Sequence, residues 1–367
     1  MRDRADVLVL GSGIVGLSLA FELARRGLST AVVPDPPGGP KTSEAGAGLV
    51  HPQTRRWKAP EAVQDLALLS RHLHGDWLEA VEGESGLSSE YDVRGGMAVA
   101  LTDAEEVELD RSLDWQRVRA LPFDVLPGEE ALSREASLSE EVRSAFVFPL
   151  DGILSASRLH RSLALAARSA GVRFLEGHLS PSLLVEGGRA AGLETSAGRF
   201  AATAIIDATE RPGNLHRAPR KPVEPVSSFL VRLDASDDAE RPGRLLYAGG
   251  AWIVPGRDGF LRLLSEPFPS TAGGPTAGGI ADLLRVGLRT VPAIASYRWV
   301  GTSELVGGAA PDAVPLLGET DLRGFHLAAG LGADASLLAP AVALFVADLV
   351  TGQAPPLPPA PFSSTRF

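Results

Sequence analysis

The chain has no cysteine among its 367 residues. That single absence excludes disulfides, thiolate metal sites, iron–sulfur clusters and a cysteine-linked prosthetic group. It suits a cytoplasmic setting, and no metal is expected. Basic residues are also short: 35 Lys and Arg face 45 Asp and Glu, for a net charge of −10, and they form no run. Phosphate contacts dominate nucleic-acid affinity, so no nucleic-acid partner is expected, and the same charge disfavours anionic membrane surfaces. A long clean apolar run is missing as well. Residues 7–24 carry three spaced glycines and Glu22, and residues 327–350 are broken by Asp334, Asp348 and Pro340. Both read as buried helices preceded by strands, so no membrane span is expected. With 44% apolar and 22% charged residues, no tract is polar enough to read as disordered. No internal repeat is visible, and the length suffices for two substantial units.

What is present begins with a βαβ opening. Residues 6–10 form an apolar run of strand length, residues 14–26 a helical pattern ended by Gly27, and residues 29–33 a β-branched strand. A helix is expected over 157–169 and a strand over 172–175. Two strands at 182–185 and 190–195 flank the turn Gly187-Gly188, and a buried strand covers 204–207. A strand at 325–329 leads to a loop at 330–333 and a helix at 337–350. Residues 85–150 and 223–304 instead alternate apolar and polar residues between turn signals, which suits an antiparallel sheet. The expected class is α/β, α+β overall: a Rossmann-like nucleotide domain from residues 1–84, 151–222 and 305–354, and a mainly antiparallel substrate domain from 85–150 and 223–304. The proline-rich tail, 355–367, reads as irregular.

Gly11-Ser12-Gly13-Ile14-Val15-Gly16 follows the first strand and opens the first helix. Gly11 permits a tight turn. Gly13 lets a pyrophosphate approach the helix N-terminus at Ile14 and Val15, and Gly16 allows close helix–strand packing. A ribose-binding carboxylate belongs at the end of the second strand. Pro34 holds that place and Asp35 follows one residue later. Asp35 is therefore the candidate ribose ligand, with a solvated loop residue as the alternative.

These features, with others along the chain, resemble the D-amino-acid-oxidase-type family of FAD-dependent oxidoreductases, in the size and layout of its glycine oxidase branch. Thr42-Ser43-Glu44-Ala45-Gly46-Ala47-Gly48-Leu49 resembles the loop that passes the flavin. Gly95-Gly96-Met97 and Asp151-Gly152 match family landmarks, and Ile206-Asp207-Ala208-Thr209 resembles the strand end that touches the cofactor. Pro311-Asp312 with residues 314–318 resembles the family's Pro-Asp-Gly-x-Pro-x-x-Gly segment, and Gly330-Leu331-Gly332 before residues 337–340 resembles its closing strand–loop–helix. The resemblance implies non-covalent FAD held by Gly11, Gly13, Ile14, Val15, Gly16, Asp35, Thr42, Ser43, Ala47, Gly48, Leu49, Ala208, Thr209, Gly330, Leu331, Gly332 and Leu337. A helix N-terminus aimed at the ring would stabilise negative charge on reduced flavin. Asp334 opposes that charge and is expected to point away.

The departures gather at the substrate end. The resemblance implies a carboxylate-pairing arginine two residues after Trp299-Val300-Gly301, where Ser303 stands. Trp252 replaces an orienting tyrosine, Ala333 a basic residue, and Glu210 a glycine. Candidate substrate-site residues are Trp252 as an aromatic wall, His51, Ser303 and Glu304. Arg55, Arg56 and Lys58 could receive an acid group, with Arg94, Arg262 and Arg298 behind them; a solvated cluster is the alternative. The expected activity is oxidation of a C–N bond in an amine or amino-acid-like small molecule by hydride transfer to flavin N5, with oxygen or another acceptor, in a chain free to form homo-oligomers. Two readings stand beside it: a flavin-dependent dehydrogenase of a non-amine substrate, and a flavin-binding protein without activity.

Overall fold

The computed structural model describes residues 3–35, 46–177, 181–196, 198–209, 223–235, 241–270 and 274–367. Strand β1 (Asp3–Leu10) is central to the first sheet. It pairs in parallel with β2 (Thr30–Val33) on one side and β11 (Gly198–Asp207) on the other. Beyond β2 lies β8 (Arg173–Phe174), and beyond β11 lies β19 (Phe325–Ala329), itself paired antiparallel with β18 (Leu316–Glu319). The hairpin β9 (Ser182–Glu186) and β10 (Arg189–Thr195) attaches to β11. Val7 and Val9 face a layer made by helices α1 (Ile14–Arg25), α2 (Glu61–Ser85), α5 (Ala156–Ser169) and α7 (Ala335–Thr351). Leu8 and Leu10 face the other side, toward β10 and β11. That two-sided burial is why β1 reads as an unbroken apolar run. Neighbouring strands leave β1 in opposite directions, so its carboxyl end is a topological switch point, where open α/β sheets bind ligands.

The second sheet runs β16-β12-β15-β14-β13-β4-β6-β5, with β17 added on β12. Its strands are β4 (Gly96–Ala100), β5 (Asp124–Pro127), β6 (Ser144–Phe148), β12 (Glu224–Asp234), β13 (Leu245–Ala248), β14 (Ala251–Pro255), β15 (Phe260–Ser265), β16 (Phe268–Pro269) and β17 (Arg298–Ala309). Every pairing is antiparallel except β13 with β4. These segments also hold helices that strand-like texture concealed: α3 (Asp103–Val118), α4 (Gly128–Arg134) and α6 (Ala277–Thr290). A third, two-stranded ladder joins β3 (Leu49–Val50) to β7 (Gly152–Ile153).

The proline-rich tail holds one short 3-10 turn, Ala360–Phe362, and is anchored to the body. Phe362 is 1% exposed, its ring centroid 5.2 Å from that of Phe345. Arg366 donates from Nε and Nη2 to the Asp312 carboxylate, both at 2.8 Å. Proline withholds backbone donors, so side chains do the anchoring.

Candidate active site

The switch point of the first sheet is shaped for an anionic group. Gly11 turns at φ +95°, and a Cβ there would stand 2.9 Å from the Ala208 carbonyl oxygen. A Cβ on Gly16 would stand 2.1 Å from the Gly11 oxygen, so helix and turn touch backbone to backbone. Gly13 is the N-cap of α1. As a glycine it offers no capping side chain, and no acidic residue occupies the helix's first turn. A helix start without a side-chain acceptor is the arrangement a phosphate completes. Asp35 reaches into this crevice: its Oδ2 accepts from the Ser12 amide at 2.9 Å and the Ser12 hydroxyl at 3.3 Å. Ala208 bonds through its amide to the Leu10 carbonyl, and Thr209 closes onto the Asp207 carboxylate. Thr42, Ser43 and Glu210 lie outside the described residues.

Residues 46–58 are pinned at both ends. Gly48 has φ +71°, and a Cβ there would meet the Leu154 oxygen at 1.9 Å, so only glycine fits. Ala47 and Leu49 are buried beside it. Further on, Asp151 accepts from the amides of Gln53 (2.8 Å) and Thr54 (3.1 Å) and from the Thr54 hydroxyl (2.5 Å). Burial pushes the Asp151 carboxyl up to about 6 against the pull of these bonds. Arg55 then takes a left-handed turn, φ +67°, which sends Arg55 and Arg56 to opposite sides.

Arg56 turns inward and joins the two ends of the chain. It donates to both oxygens of Asp334, at 2.8 and 2.6 Å, and to His51 Nε2 at 2.8 Å. Asp334 is the N-cap of α7, yet its carboxylate makes no capping bond. Burial alone would raise that carboxyl; the Arg56 guanidinium beside it holds it below the usual range. Because a guanidinium only donates, His51 Nε2 must accept, and the ring carries its proton on Nδ1. Burial and then Arg56 lower the His51 pKa to about 3, so the ring is neutral. Its Nδ1–H is buried without a hydrogen-bond partner among the described residues. This orphaned donor is an unmet bond that a ligand would satisfy.

The His51 ring stands edge-on to Trp252, centroids 4.5 Å apart, and Tyr247 follows at 4.8 Å. Register explains the grouping. Ser303, Leu230, Leu264, Trp252, Tyr247, Ala98 and Phe146 are successive cross-strand partners, so they share one face. Ser303 is exposed and Trp252 is 4% exposed. Glu304 does not join them. Alternation turns it to the face of its partner Phe229, where Oε1 accepts from the Ser227 hydroxyl at 2.5 Å.

The basic cluster is spoken for within the chain. Arg55 pairs with Glu108 and Glu266, Lys58 with Glu108, and Arg56 with Asp334. Glu266 also accepts from the Tyr247 hydroxyl at 2.7 Å, and burial, reinforced by that carboxylate, raises the Tyr247 pKa. Arg94, Arg262 and Arg298 pair with Asp92, Asp258 and Asp234. The closing loop bends at Gly330 (φ +81°) and Gly332 (φ +59°). Leu331 bridges Ala309, and a Cβ on Gly307 would meet the Gly332 oxygen at 2.6 Å. Leu337 is fully buried, its carbonyl accepting from Ser70 at 2.6 Å. The Arg56–Asp334–His51 group escaped the sequence because Asp334 lies 278 residues from Arg56.

His51 gives a pH-dependent prediction. Its folded pKa lies below the unfolded value of 6.5, so its contribution to stability is present above 6.5 and is lost as pH falls toward 3. Between about pH 7 and about pH 5 that loss is about 2 kcal/mol. His51→Asn removes it, so the stability gap between wild type and variant should narrow by that amount in urea titrations at the two pH values. An unchanged gap would mean that the ring is not buried neutral.

No helix among the described residues is long and apolar enough to cross a membrane. The family model described as FAD dependent oxidoreductase, DAO, matches residues 6–349. Glycine oxidase of Geobacillus kaustophilus (strain HTA426) is 31% identical, with 100% of this chain and 98% of the relative aligned. A D-amino acid dehydrogenase of Cereibacter sphaeroides is 25% identical over 98% and 95%. The crystal structure of the Geobacillus glycine oxidase superposes with a TM-score of 0.89 at 30% identity, covering 100% and 99%. L-proline dehydrogenase from P. horikoshii, at 23% identity and a TM-score of 0.86 over 100% and 98%, shares the fold. An uncapped dinucleotide crevice, a glycine-pinned loop and a match over almost the whole length agree: this chain belongs to the DAO family of FAD-dependent oxidoreductases.

Proposed function

We propose that the chain oxidises the C–N bond of an amine other than a simple α-amino acid. The observation that carries this reading is the neutral His51 beside Trp252, with its Nε2 filled by Arg56 and its Nδ1–H unpaired. FAD, when bound, accepts the hydride released from the amine's α carbon. The diphosphate belongs on the α1 N-terminus at Gly13, Ile14 and Val15, and a ribose hydroxyl at Asp35, whose Oδ1 has no partner among the described residues. The ring belongs between Ala47–Leu49 and the closing loop at Gly330–Gly332. Trp252 walls the substrate space, His51 fixes one acceptor of the bound molecules, and the tight Gly307–Gly332 approach keeps the closing loop on the sheet. His51 holds its proton on Nδ1 and takes up no second one near neutrality. The substrate therefore must arrive as the free amine, and the rate should rise with pH through the amine's own ionisation.

The relatives named glycine oxidase make glycine the natural comparison, and here glycine should be a poor substrate. Ser303 cannot form the charge-assisted pair that an arginine would, and Arg55, Arg56 and Lys58 are engaged with carboxylates of the chain. Two such bonds, at roughly 1.5–3 kcal/mol each, correspond to about 10²- to 10⁴-fold weaker productive binding. The test is anaerobic bleaching of the flavin band across a panel of amines, amino acids and hydroxy acids, followed by a peroxide assay to identify the acceptor. Bleaching by hydroxy acids alone would sink the C–N reading. A glycine specificity constant above about 10⁴ M⁻¹s⁻¹ would sink the exclusion of simple amino acids.

A further inference from the structure

We infer that Arg232 supplies a carboxylate-binding position on the Trp252 face of the second sheet, for an amine whose carboxylate lies several bonds from the oxidised C–N bond. The inference rests on the amine-oxidation reading above. Register carries it. Leu230 stands opposite Ser303, and Arg232 stands opposite Gly301. Arg232 is therefore the diagonal neighbour of Ser303 on the same face, with backbones about 7–8 Å apart. The positive charge missing from β17 at position 303 reappears on the adjacent strand.

Two observations mark Arg232 as available. Of the arginines in the strands of this sheet, Arg262 and Arg298 have carboxylates within salt-bridge range, at Asp258 and Asp234. Arg232 has no carboxylate partner among the described residues. It is exposed, and its guanidinium carbon sits 5.0 Å from the centre of the Phe260 ring. That contact orients the planar group while leaving its donors free. The space opposite is open as well: a Cβ on Gly301 would meet nothing within 4 Å, and Ser303 beyond it is exposed. On a chain of net charge −10, an arginine with no carboxylate partner among the described residues, in an open stretch of sheet, is a local attractor for anions.

Spacing sets the ligand length. Arg232 is two residues beyond Leu230, about 7 Å along the strand, and β12 lies two strands from β14, about 10 Å across, so its backbone is about 12 Å from that of Trp252, a gap that side chains from both positions narrow. Phe260 pairs with Asp234, one step further on, so the guanidinium leans away from the Trp252 row. An α-carboxylate, about 2.5 Å from its amine nitrogen, cannot reach both. A chain of four or five carbons can.

Pentanoate has no amine and cannot be oxidised, so it reports binding alone. Calorimetric titration into FAD-loaded protein should show binding to wild type, weakened at least about 10-fold in Arg232→Gln and less in Arg232→Lys. FAD content and melting temperature serve as checks that the variants fold. In the kinetic arm, the preference for 5-aminopentanoate over pentylamine, as a ratio of kcat/KM, should fall at least about 10-fold in Arg232→Gln. Equal pentanoate affinity in wild type and Arg232→Gln, or none in wild type, overturns the assignment. Failure of wild type to bleach with either amine overturns the amine reading instead, and the pentanoate titration still decides Arg232.

Discussion

Replacing Arg56 by methionine is expected to destabilise the protein by about 2–4 kcal/mol. The change strands the Asp334 carboxylate, which loses both of its short guanidinium bonds, and leaves His51 Nε2 without its donor. Breaking a buried pair by removing one partner costs about 3–5 kcal/mol. Asp334 keeps 24% of its side-chain exposure, so water moderates the loss and the range is set lower. Arg56→Met with Asp334→Leu should recover much of it, because the double variant leaves no unpaired charge. Urea titrations of the four proteins give the coupling energy directly. If the loss in the double variant equals the summed losses of Arg56→Met and Asp334→Leu, the pair is not coupled and Arg56 contributes through packing alone. His51 supplies a second readout. Arg56 is one of the causes of its lowered pKa, so the His51 titration should move upward in Arg56→Met.

The second large effect concerns the cofactor rather than the fold. Gly13→Val should leave the apoprotein folded and colourless. Gly13 has φ −70° and ψ 179°, extended backbone that valine adopts freely, so the variant meets no backbone strain. With ligand, its side chain would fill the space above the α1 N-terminus. Crowding costs about 1–3 kcal/mol, and a displaced charge-assisted bond about 1.5–3 kcal/mol more. Together they weaken FAD binding by about 10²- to 10⁴-fold. Gly16→Ala is the contrasting case. Its Cβ would drive into the Gly11 oxygen at 2.1 Å, so that variant should lose stability even as apoprotein. Flavin content after desalting and the melting temperature of the apoproteins separate the two. Stoichiometric FAD in Gly13→Val would mean that the diphosphate sits elsewhere.

The sequence by itself determined the cofactor domain. Gly11, Gly13 and Gly16, the apolar run of β1 and the pattern of α1 are local signals, because backbone conformation and strand burial act over a few residues. The helix at Ala335–Thr351 and the strand at Phe325–Ala329 were legible for the same reason. Helix α3 was not, because its face against the second sheet is narrow and the rest of its surface is charged. Tertiary structure decided the substrate side. Ser303 and Glu304 are adjacent in sequence, yet strand alternation places one on the Trp252 face and the other on the Phe229 face. Arg56 looked free until Asp334 arrived from the far end of the chain, and Arg232 drew no notice until β12 was laid against β17. Charge pairing across a fold depends on which side chains come within about 4 Å of each other, and only the packed chain fixes that distance.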